Sequence, residues 1–392
     1  MKTQTVLRRS AGMSLVELMV GAAIGLIGIV IITHVYLTNE QHKRTTTAAG
    51  GAQTNGAIAL FALERDIRQA GFGLNSSFAF ECNCNPLVNA GCSAVRYYYD
   101  GKYTTPPNPD TTNSRNALTL YPFIITNLDT ADGPNTGPDT LSVFYGSDNE
   151  RALSTVLIDS MNPAGADIKP DGTAGFDVGN LVVLQSGTTC SMTQVTGIVA
   201  ESLLHADNSW NPAGGGTLPT FNKDVTRVFN LGSRPVWRTF GVQYSQPLRD
   251  INLGKLQVTD QYRLLTEPGY VTQDLMDGIV DLQAQYGKDL NDDGVVDVWT
   301  KVLPAGGIGT NFNATDIMQV IAVRLAVLAR SEHYEKPSTP GGACEATTAA
   351  NRPTWSGGDF LTFNAAGALP SCYKYRVFET VVPLRNMMWR PE

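Results

Sequence analysis

The chain has 392 residues, of which 42% are hydrophobic and 17% are charged, and its formal net charge is −7. This length is sufficient for one large hydrophobic core or two modest ones. The acidic balance and the lack of a Lys/Arg-rich stripe argue against a nucleic acid as direct partner, because phosphates need cations to neutralise them. Abundant Gly, Pro, Asn, Thr and Ser in the middle of the chain predict turns and short strands rather than a helical bundle.

An apolar segment extends from Met13 to Thr33, and Glu17 is its only ionisable residue. A helix of this length measures about 30 Å, which is enough to cross a bilayer. Basic residues without any acid precede the segment, a pattern that keeps an N-terminus in the cytoplasm and directs the chain beyond the helix outward. The sequence therefore predicts a single-pass anchor and, after it, a domain outside the inner membrane.

The start of this segment is unusual, because the acid Glu17 follows Gly12 within the first turns of the apolar segment. A carboxylate within an apolar helix costs several kcal/mol unless it is paired, so Glu17 is a functional candidate. A secretory signal has its cleavage site after the apolar core, whereas here the chain turns apolar directly after Gly12. The sequence G-M-S-L-V-E of residues 12–17 resembles the class III leader of type IV pilins, although Met13 stands where that family usually has Phe.

The resemblance implies that a prepilin peptidase cuts after Gly12 and methylates the new amine of Met13, which leaves Glu17 as the fifth residue of the mature chain. Residues 1–12 are then the leader, 13–73 a long N-terminal helix with 13–35 in the membrane or the filament core, and 74–392 a periplasmic β-rich head. The alternative is an uncut signal anchor with a stray acid.

The expected fold class is α+β, namely a type IV pilin-like fold in which the long helix packs on a large antiparallel β-sheet domain with long loops. Apolar residues at helical spacing continue to Gly71-Phe72-Gly73. Three consecutive threonines at 45–47 and the glycines at 50, 51 and 56 predict a local break between the two halves of the helix.

Strands are predicted where β-branched and aromatic residues lie between Gly, Pro and Asn clusters. They are residues 117–121, 141–145, 181–184, 226–231, 236–244, 256–265, 280–286, 320–328 and 373–384. Residues 270–278 predict a short helix and residues 101–139 a surface loop. The alternation of apolar residues in 280–286 predicts a half-buried strand.

Two segments resemble the PilW family of minor pilins. They are residues 60–71, with the pattern L-x-x-x-E-x-D-I-R-x-A-G, and residues 382–386, V-P-L-R-N. The resemblance implies a subunit that helps to initiate pilus assembly and supports twitching motility, adhesion or DNA uptake. It implies as partners other minor and major pilins, the prepilin peptidase, the inner-membrane assembly machinery and a tip adhesin. The subunit would lie in the inner membrane before assembly and in the extracellular pilus afterwards.

An even number of cysteines on the outward side of a membrane segment favours disulfides in an oxidising periplasm. The six are Cys82, Cys84, Cys92, Cys190, Cys344 and Cys372. The favoured pairing is Cys344 with Cys372. The other four can pair in three ways, and the tight spacing of Cys82-x-Cys84 favours separate partners for these two, one of them Cys92 and the other Cys190. A zinc site is disfavoured because ligands at finger-like spacing are lacking.

Residues 289–297, D-L-N-D-D-G-V-V-D, match the pattern of a calcium-binding loop. Calcium takes six to eight oxygen ligands, which a tight loop supplies from alternate side chains and a backbone carbonyl. The candidate ligands are Asp289, Asn291, Asp293, the carbonyl of Val295, and Asp297. Thr300 stands where an EF-hand has its bidentate Glu, so the loop is not an EF-hand. The alternative is a metal-free hairpin turn rich in Asp, Asn and Gly.

The sequence contains no G-x-S-x-G, H-E-x-x-H or P-loop motif, and its four histidines are scattered. We therefore expect a protein without enzymatic activity. Minor pilin is the leading hypothesis. The alternatives are a pseudopilin of a type II secretion system and a membrane-anchored periplasmic binding or adhesion protein. Glu17 weighs against the large tip pseudopilin, because that family typically lacks an acid at this position.

Overall fold

The structure is a computed structural model. It describes residues 13–74, 98–99, 102–103, 121–126, 137–147, 154–161, 167–187, 189–211, 220–243, 254–301, 317–335, 337, 339, 341–348, 350–360 and 371–388.

One continuous helix, α1, spans Leu15–Gln69. Ser14 caps it: its hydroxyl accepts a hydrogen bond from the Val16 N–H at 3.3 Å, and the Glu17 carboxylate accepts one from the Ser14 N–H at 3.0 Å. This reciprocal arrangement is a capping box, which satisfies backbone donors that the first turn leaves free. At the other end, Gly71 and Gly73 have φ angles of 79° and 82°, which turn the chain away from the helix axis.

The predicted break in the helix is wrong, because residues 45–56 are helical throughout. The Thr54 hydroxyl donates to the carbonyl oxygen of Gly50, so it does not compete for the helical backbone donors. Gly56 lies where Phe378 of the head approaches α1, and a Cβ at this position would overlap the phenyl ring. Gly56 lowers the intrinsic helix propensity, but it permits the close packing of Phe378 on α1, and this tertiary contact stabilises the helix.

The described part of the head consists of short strands and two short helices. The strands are β1 Tyr98–Tyr99, β2 Lys102–Tyr103, β3 Phe123–Thr126, β4 Thr140–Tyr145, β5 Thr155–Val156, β6 Leu181–Ser186, β7 Thr189–Gln194, β8 Gly197–Val199, β9 Ser202–Leu204, β10 Arg227–Gly232, β11 Val236–Gln243, β12 Lys255–Asp260, β13 Gln273–Asp277, β14 Ile279–Lys288, β15 Val298–Thr300, β16 Val320–Arg330, β17 Thr354–Trp355, β18 Gly358–Asp359 and β19 Tyr375–Pro383. The helices are α2 Gln261–Thr266 and α3 Arg385–Met388.

Within the described ranges, these strands form three larger antiparallel sheets. Their orders are β5-β10-β6-β7, β13-β12-β11-β4-β3 and β15-β14-β16-β19. Three two-stranded pairs, β1-β2, β8-β9 and β17-β18, complete the set. In the third sheet, Leu325 of β16 is paired with Ala284 of β14 and Thr380 of β19. A long helix with antiparallel sheets confirms the α+β class.

The second half of α1 belongs to the main hydrophobic core of the head. Ala59, Leu63, Ile67 and Ala70 are fully buried in one cluster with the inner faces of β4, β14 and β16. A second cluster covers one face of the β5-β10-β6-β7 sheet, and the other face of that sheet belongs to the main core. A third lies on the outer face of the β14-β16 pair, where Trp355 and Phe360 cover it.

Seven strand predictions are confirmed. The predicted segments 141–145, 181–184, 226–231, 236–244, 280–286, 320–328 and 373–384 correspond to β4, β6, β10, β11, β14, β16 and β19. The prediction for 256–265 holds only for its first half. There β12 ends at Asp260, whose carboxylate accepts from the Arg263 N–H at 3.0 Å and so starts α2.

The helix predicted for 270–278 is wrong, because β13 occupies these residues as the edge strand beside β12. The prediction that 280–286 is half-buried is also wrong, because all ten residues of β14 are buried. The inner face of β14 packs in the main core with α1, and its outer face packs against Trp355. The polar side chain of Gln283 is satisfied as well, because it donates a hydrogen bond to the Gly137 carbonyl at 3.0 Å.

The loop predicted for 101–139 contains strands at β2 and β3, so that prediction is wrong in part. β3 forms the edge of the five-stranded sheet opposite β13. Most of the strand predicted at 117–121 lies outside the described residues.

Candidate functional site

The first half of α1 is apolar and uncovered. Leu15–Glu40 is a candidate membrane span of 26 residues, and none of its most apolar window is buried. Soluble proteins seldom expose a contiguous apolar surface of this extent. The half-helix therefore requires an apolar environment, such as a bilayer or a bundle of other helices.

The predicted processing site lies at the start of this half-helix. Gly12 is outside the described residues, whereas Met13 is exposed and immediately precedes the cap. The Glu17 side chain is exposed and accepts the Ser14 N–H at 3.0 Å. This capping role was not predicted from the sequence, although the spacing S-x-x-E is the signal that could have revealed it.

Glycines leave part of the half-helix surface open. At Gly21, Gly25 and Gly28 an added Cβ would have no atom within 4 Å other than those of its own helix and chain neighbours. Small residues on an apolar helix let a neighbouring helix approach closely. This stretch of α1 therefore offers a surface suited to helix–helix contact.

A charge pair between the buried Asp66 and the half-buried Arg238 joins the second half of α1 to the head. Asp66 is 2% exposed, and Arg238 of β11 donates from Nη1 to its Oδ2 at 2.8 Å. Burial acts to lower the pKa of Arg238, but the hydrogen bond and charge of Asp66 outweigh it and the pKa is raised. Burial, assisted by the charge of Asp66, raises the pKa of Tyr145 to about 12. The sequence contains Asp66 in its PilW-like pattern, but the partner 172 positions away could not be predicted.

The acidic loop is organised around Asp289, which is 4% exposed. Its carboxylate accepts backbone N–H groups from Gly294 at 2.7 Å, Asn291 at 3.2 Å and Asp293 at 3.3 Å. Burial acts to raise the pKa of Asp289, but these backbone hydrogen bonds outweigh it and hold the pKa below its usual range. The side chain is therefore ionised at neutral pH and fixes the turn.

The far end of the loop is closed by Asp297. Its carboxylate accepts the Leu290 N–H at 2.8 Å, and its own N–H donates to the Lys288 carbonyl at 2.8 Å. Asp292 and Gly294 have φ angles of 60° and 83°, which wrap the chain tightly. The loop thus brings its predicted ligands into one turn.

The ligand chemistry of this loop suits a hard cation, since the candidate donors are all oxygens. However, the carboxylate oxygens of Asp289 already accept hydrogen bonds from backbone N–H groups, which leaves fewer lone pairs for a metal ion. Over the described part of the chain, no group of three or more His, Cys, Asp or Glu side chains is close enough to hold a metal ion.

Cys344 and Cys372 form a disulfide with a Cα–Cα distance of 4.8 Å. This is the pairing that the sequence favoured, and it closes the loop that carries Trp355 onto the outer face of β14 and β16. Cys190 is also disulfide-bonded. The remaining cysteines, Cys82, Cys84 and Cys92, lie outside the described residues.

A candidate membrane helix that continues into the core of an antiparallel β head defines the class of the protein: an α+β protein with an N-terminal anchor. A comparison with protein families is more specific. Residues 255–386 match the family described as PilW, type IV pilus-assembly protein W. The match extends from β12 to α3 and confirms the PilW resemblance. The helix segment 60–71 lies outside it.

The description of that family concerns type IV pilus assembly, and the match covers about a third of the chain. Searches among curated proteins and among solved structures found no match to the chain.

Proposed function

We propose that the protein is a minor pilin of a type IV pilus, inserted through α1 to help initiate pilus assembly. The observation that best supports this role is that the two halves of α1 along its length have different environments. The first half of this continuous helix is apolar and exposed, whereas the second half buries Leu63 and Ile67 in the head. Such a helix connects the head to a helical bundle without an intervening flexible joint.

The mechanism begins in the inner membrane, with the head in the periplasm. A prepilin peptidase cuts after Gly12, and the amine of Met13 is methylated. The assembly machinery then moves the subunit into the filament. There the amine of Met13, from the same or a neighbouring subunit, pairs with Glu17. In a dry bundle such a pair is stronger than in water, but each charge must have its partner.

The partners in this role are other minor and major pilins, the peptidase, the inner-membrane machinery and a tip adhesin. The assembled pilus would support twitching motility, adhesion or DNA uptake, and the chain itself would carry out no catalysis. A type II secretion pseudopilin and a membrane-anchored binding protein remain the competing roles. Recovery of the cut protein from sheared pili separates the proposed role from both.

Cleavage is tested by Gly12→Asp. We expect this variant to retain residues 1–12 almost completely and to be absent from sheared pili, because the peptidase site loses the glycine before the cut. Intact-mass measurement and N-terminal sequencing detect the leader directly. Ala11→Ser is the matched control and should be cut at Met13. Normal cleavage of Gly12→Asp, or an uncut wild-type chain confined to the inner membrane, would contradict the proposed processing.

We further propose that the acidic loop binds Ca²⁺ through Asp289, Asn291, Asp293, the Val295 carbonyl and Asp297. The all-oxygen donor set and the presence of four acids within nine residues of sequence support this assignment. Bound calcium would offset the repulsion between the carboxylates and hold the β14-β15 hairpin in one conformation.

Calcium binding is tested by isothermal titration of the full chain in detergent. We expect one equivalent of Ca²⁺ to bind, and Asp293→Asn to weaken binding roughly tenfold or more because it removes a charged ligand. Asp207→Asn, at an exposed acid outside the loop, should bind like the wild type. Absence of both a binding heat and a chelator-sensitive shift in melting temperature would exclude the calcium site.

A further inference from the structure

The five-stranded sheet β13-β12-β11-β4-β3 has two different faces. Its inner face belongs to the main core, where Leu141 of β4, Phe240 of β11 and Leu256 of β12 are buried. Its outer face carries an open hollow of about 330 Å³. Every residue that lines this hollow is half-buried or exposed, so the hollow is accessible from solvent. Its volume lies within the range of roughly 300–1,000 Å³ that is common for small-molecule sites.

The lining of the hollow is polar but uncharged. It consists of four threonines and two glutamines together with Gly241 and Val242. The adjacent Asp274, which accepts a hydrogen bond from Gln257 at 2.6 Å, is neutralised by its ion pair with Lys255. A charged ligand would therefore give up hydration without meeting an opposite charge in the lining, which is unfavourable. This composition favours a neutral polar ligand.

Three side chains of the lining keep hydrogen-bonding capacity that the described part of the chain does not use. The Thr140 hydroxyl forms no hydrogen bond there, Gln243 uses only its side-chain carbonyl, and Gln257 uses only its NH₂ group. What remains is a donor at Gln243, an acceptor at Gln257 and both at Thr140. A sugar hydroxyl both donates and accepts, so a ring that carries several hydroxyls matches this mixture.

Gly241 lines the hollow in the interior of β11, the central strand of the sheet. Its φ is not in the left-handed region, and an added Cβ would meet only the Thr140 side chain, at the ordinary contact distances of 3.6 and 3.9 Å. Neither the backbone conformation nor packing therefore requires a glycine, although glycine weakens a strand. A bare backbone does, however, let a ligand approach the sheet closely.

We infer that this hollow binds a neutral carbohydrate, at the scale of one hexose unit. The uncharged lining, the mixture of donors and acceptors and the open backbone at Gly241 together favour a ring with several hydroxyls. An extended peptide fits less well, because its main chain pairs with the edge of a sheet, whereas the hollow lies on a face. The inference does not rest on the pilus role or on the acidic loop, so it is tested separately from both.

Binding is tested on the full chain in a detergent without a sugar headgroup, because a maltoside or glucoside would compete for the hollow. Saturation-transfer difference NMR with D-glucose, D-galactose and N-acetyl-D-glucosamine should detect binding of at least one. The charged counterpart of that sugar, namely glucuronate, galacturonate or glucosamine, should bind roughly tenfold more weakly or less. Absence of binding by all three neutral sugars, equal binding of the charged counterpart, or comparable binding of N-acetyl-triglycine amide would overturn the inference.

Three variants decide whether the sugar occupies this hollow. Gly241→Val fills the hollow and should abolish the signal, and it should fold because valine favours strands and a Cβ has room. Thr140→Val keeps the side-chain shape without the hydroxyl and should weaken binding about fivefold, so it gives the answer if Gly241→Val fails to fold. Thr380→Val, at a half-buried threonine of β19 outside the hollow, is the matched control and should bind like the wild type. Unchanged binding in either hollow variant would overturn the assignment.

Discussion

Glu17→Ala should still be cut after Gly12 but should enter pili at roughly one tenth of the wild-type level or less. The physical reason is the unpaired amine that the substitution leaves in a dry helical bundle. Such a charge costs several kcal/mol, and a tenfold change in an equilibrium corresponds to about 1.4 kcal/mol. Immunodetection of the subunit in sheared pili, normalised to its amount in the inner membrane, measures the effect.

The capping box requires a second variant, because Glu17 has a local role in addition to the proposed pairing. Glu17→Gln keeps an acceptor for the Ser14 N–H but removes the charge. If charge pairing determines assembly, the glutamine variant should enter pili as poorly as the alanine variant. If Glu17→Gln is incorporated normally while Glu17→Ala is not, helix capping is the important function, and the pairing mechanism is wrong.

The sequence was informative where a feature depends on neighbouring residues. The apolar segment after Gly12 and the strands β4, β6, β10, β11, β16 and β19 follow from local composition and turns. Cys344 and Cys372 could be paired because they are consecutive cysteines that enclose a Gly-, Thr- and Pro-rich loop containing Trp355. The acidic loop was visible as a spacing of oxygen-bearing side chains, and its residues do share one turn.

The errors concern features that depend on residues far apart in the chain. β13 is a strand because β12 supplies its hydrogen bonds, whereas its own sequence favours no single periodicity. β14 is buried on both faces because Trp355, much later in the chain, covers the outer one. The continuity of α1 at Gly56 depends on Phe378. Asp66 acquires its significance only from its contact with Arg238, far away in the chain.

The second half of α1 provides the other large predicted effect. Leu63→Ala should lower the free energy of unfolding of the head by about 3 kcal/mol, because Leu63 is fully buried and its loss leaves a cavity in the main core. Phe61→Ala, two positions away on the same helix, removes a larger side chain that is 67% exposed. It should change this free energy by no more than about 0.5 kcal/mol. Denaturant unfolding of the full chain in detergent measures both.

The comparison of these two variants tests whether α1 is a structural part of the head or an independent anchor. If the helix were only an anchor, the two substitutions would have similarly small effects on the head, and that result would contradict the packing of Leu63 and Ile67. If the packing is correct, a force applied to the apolar half of α1 is transmitted to the core through the same helix. Leu63→Ala should then reduce the amount of folded subunit in the membrane. Phe61→Ala should leave that amount unchanged, so any loss of Phe61→Ala from sheared pili would reflect contact with a neighbouring subunit.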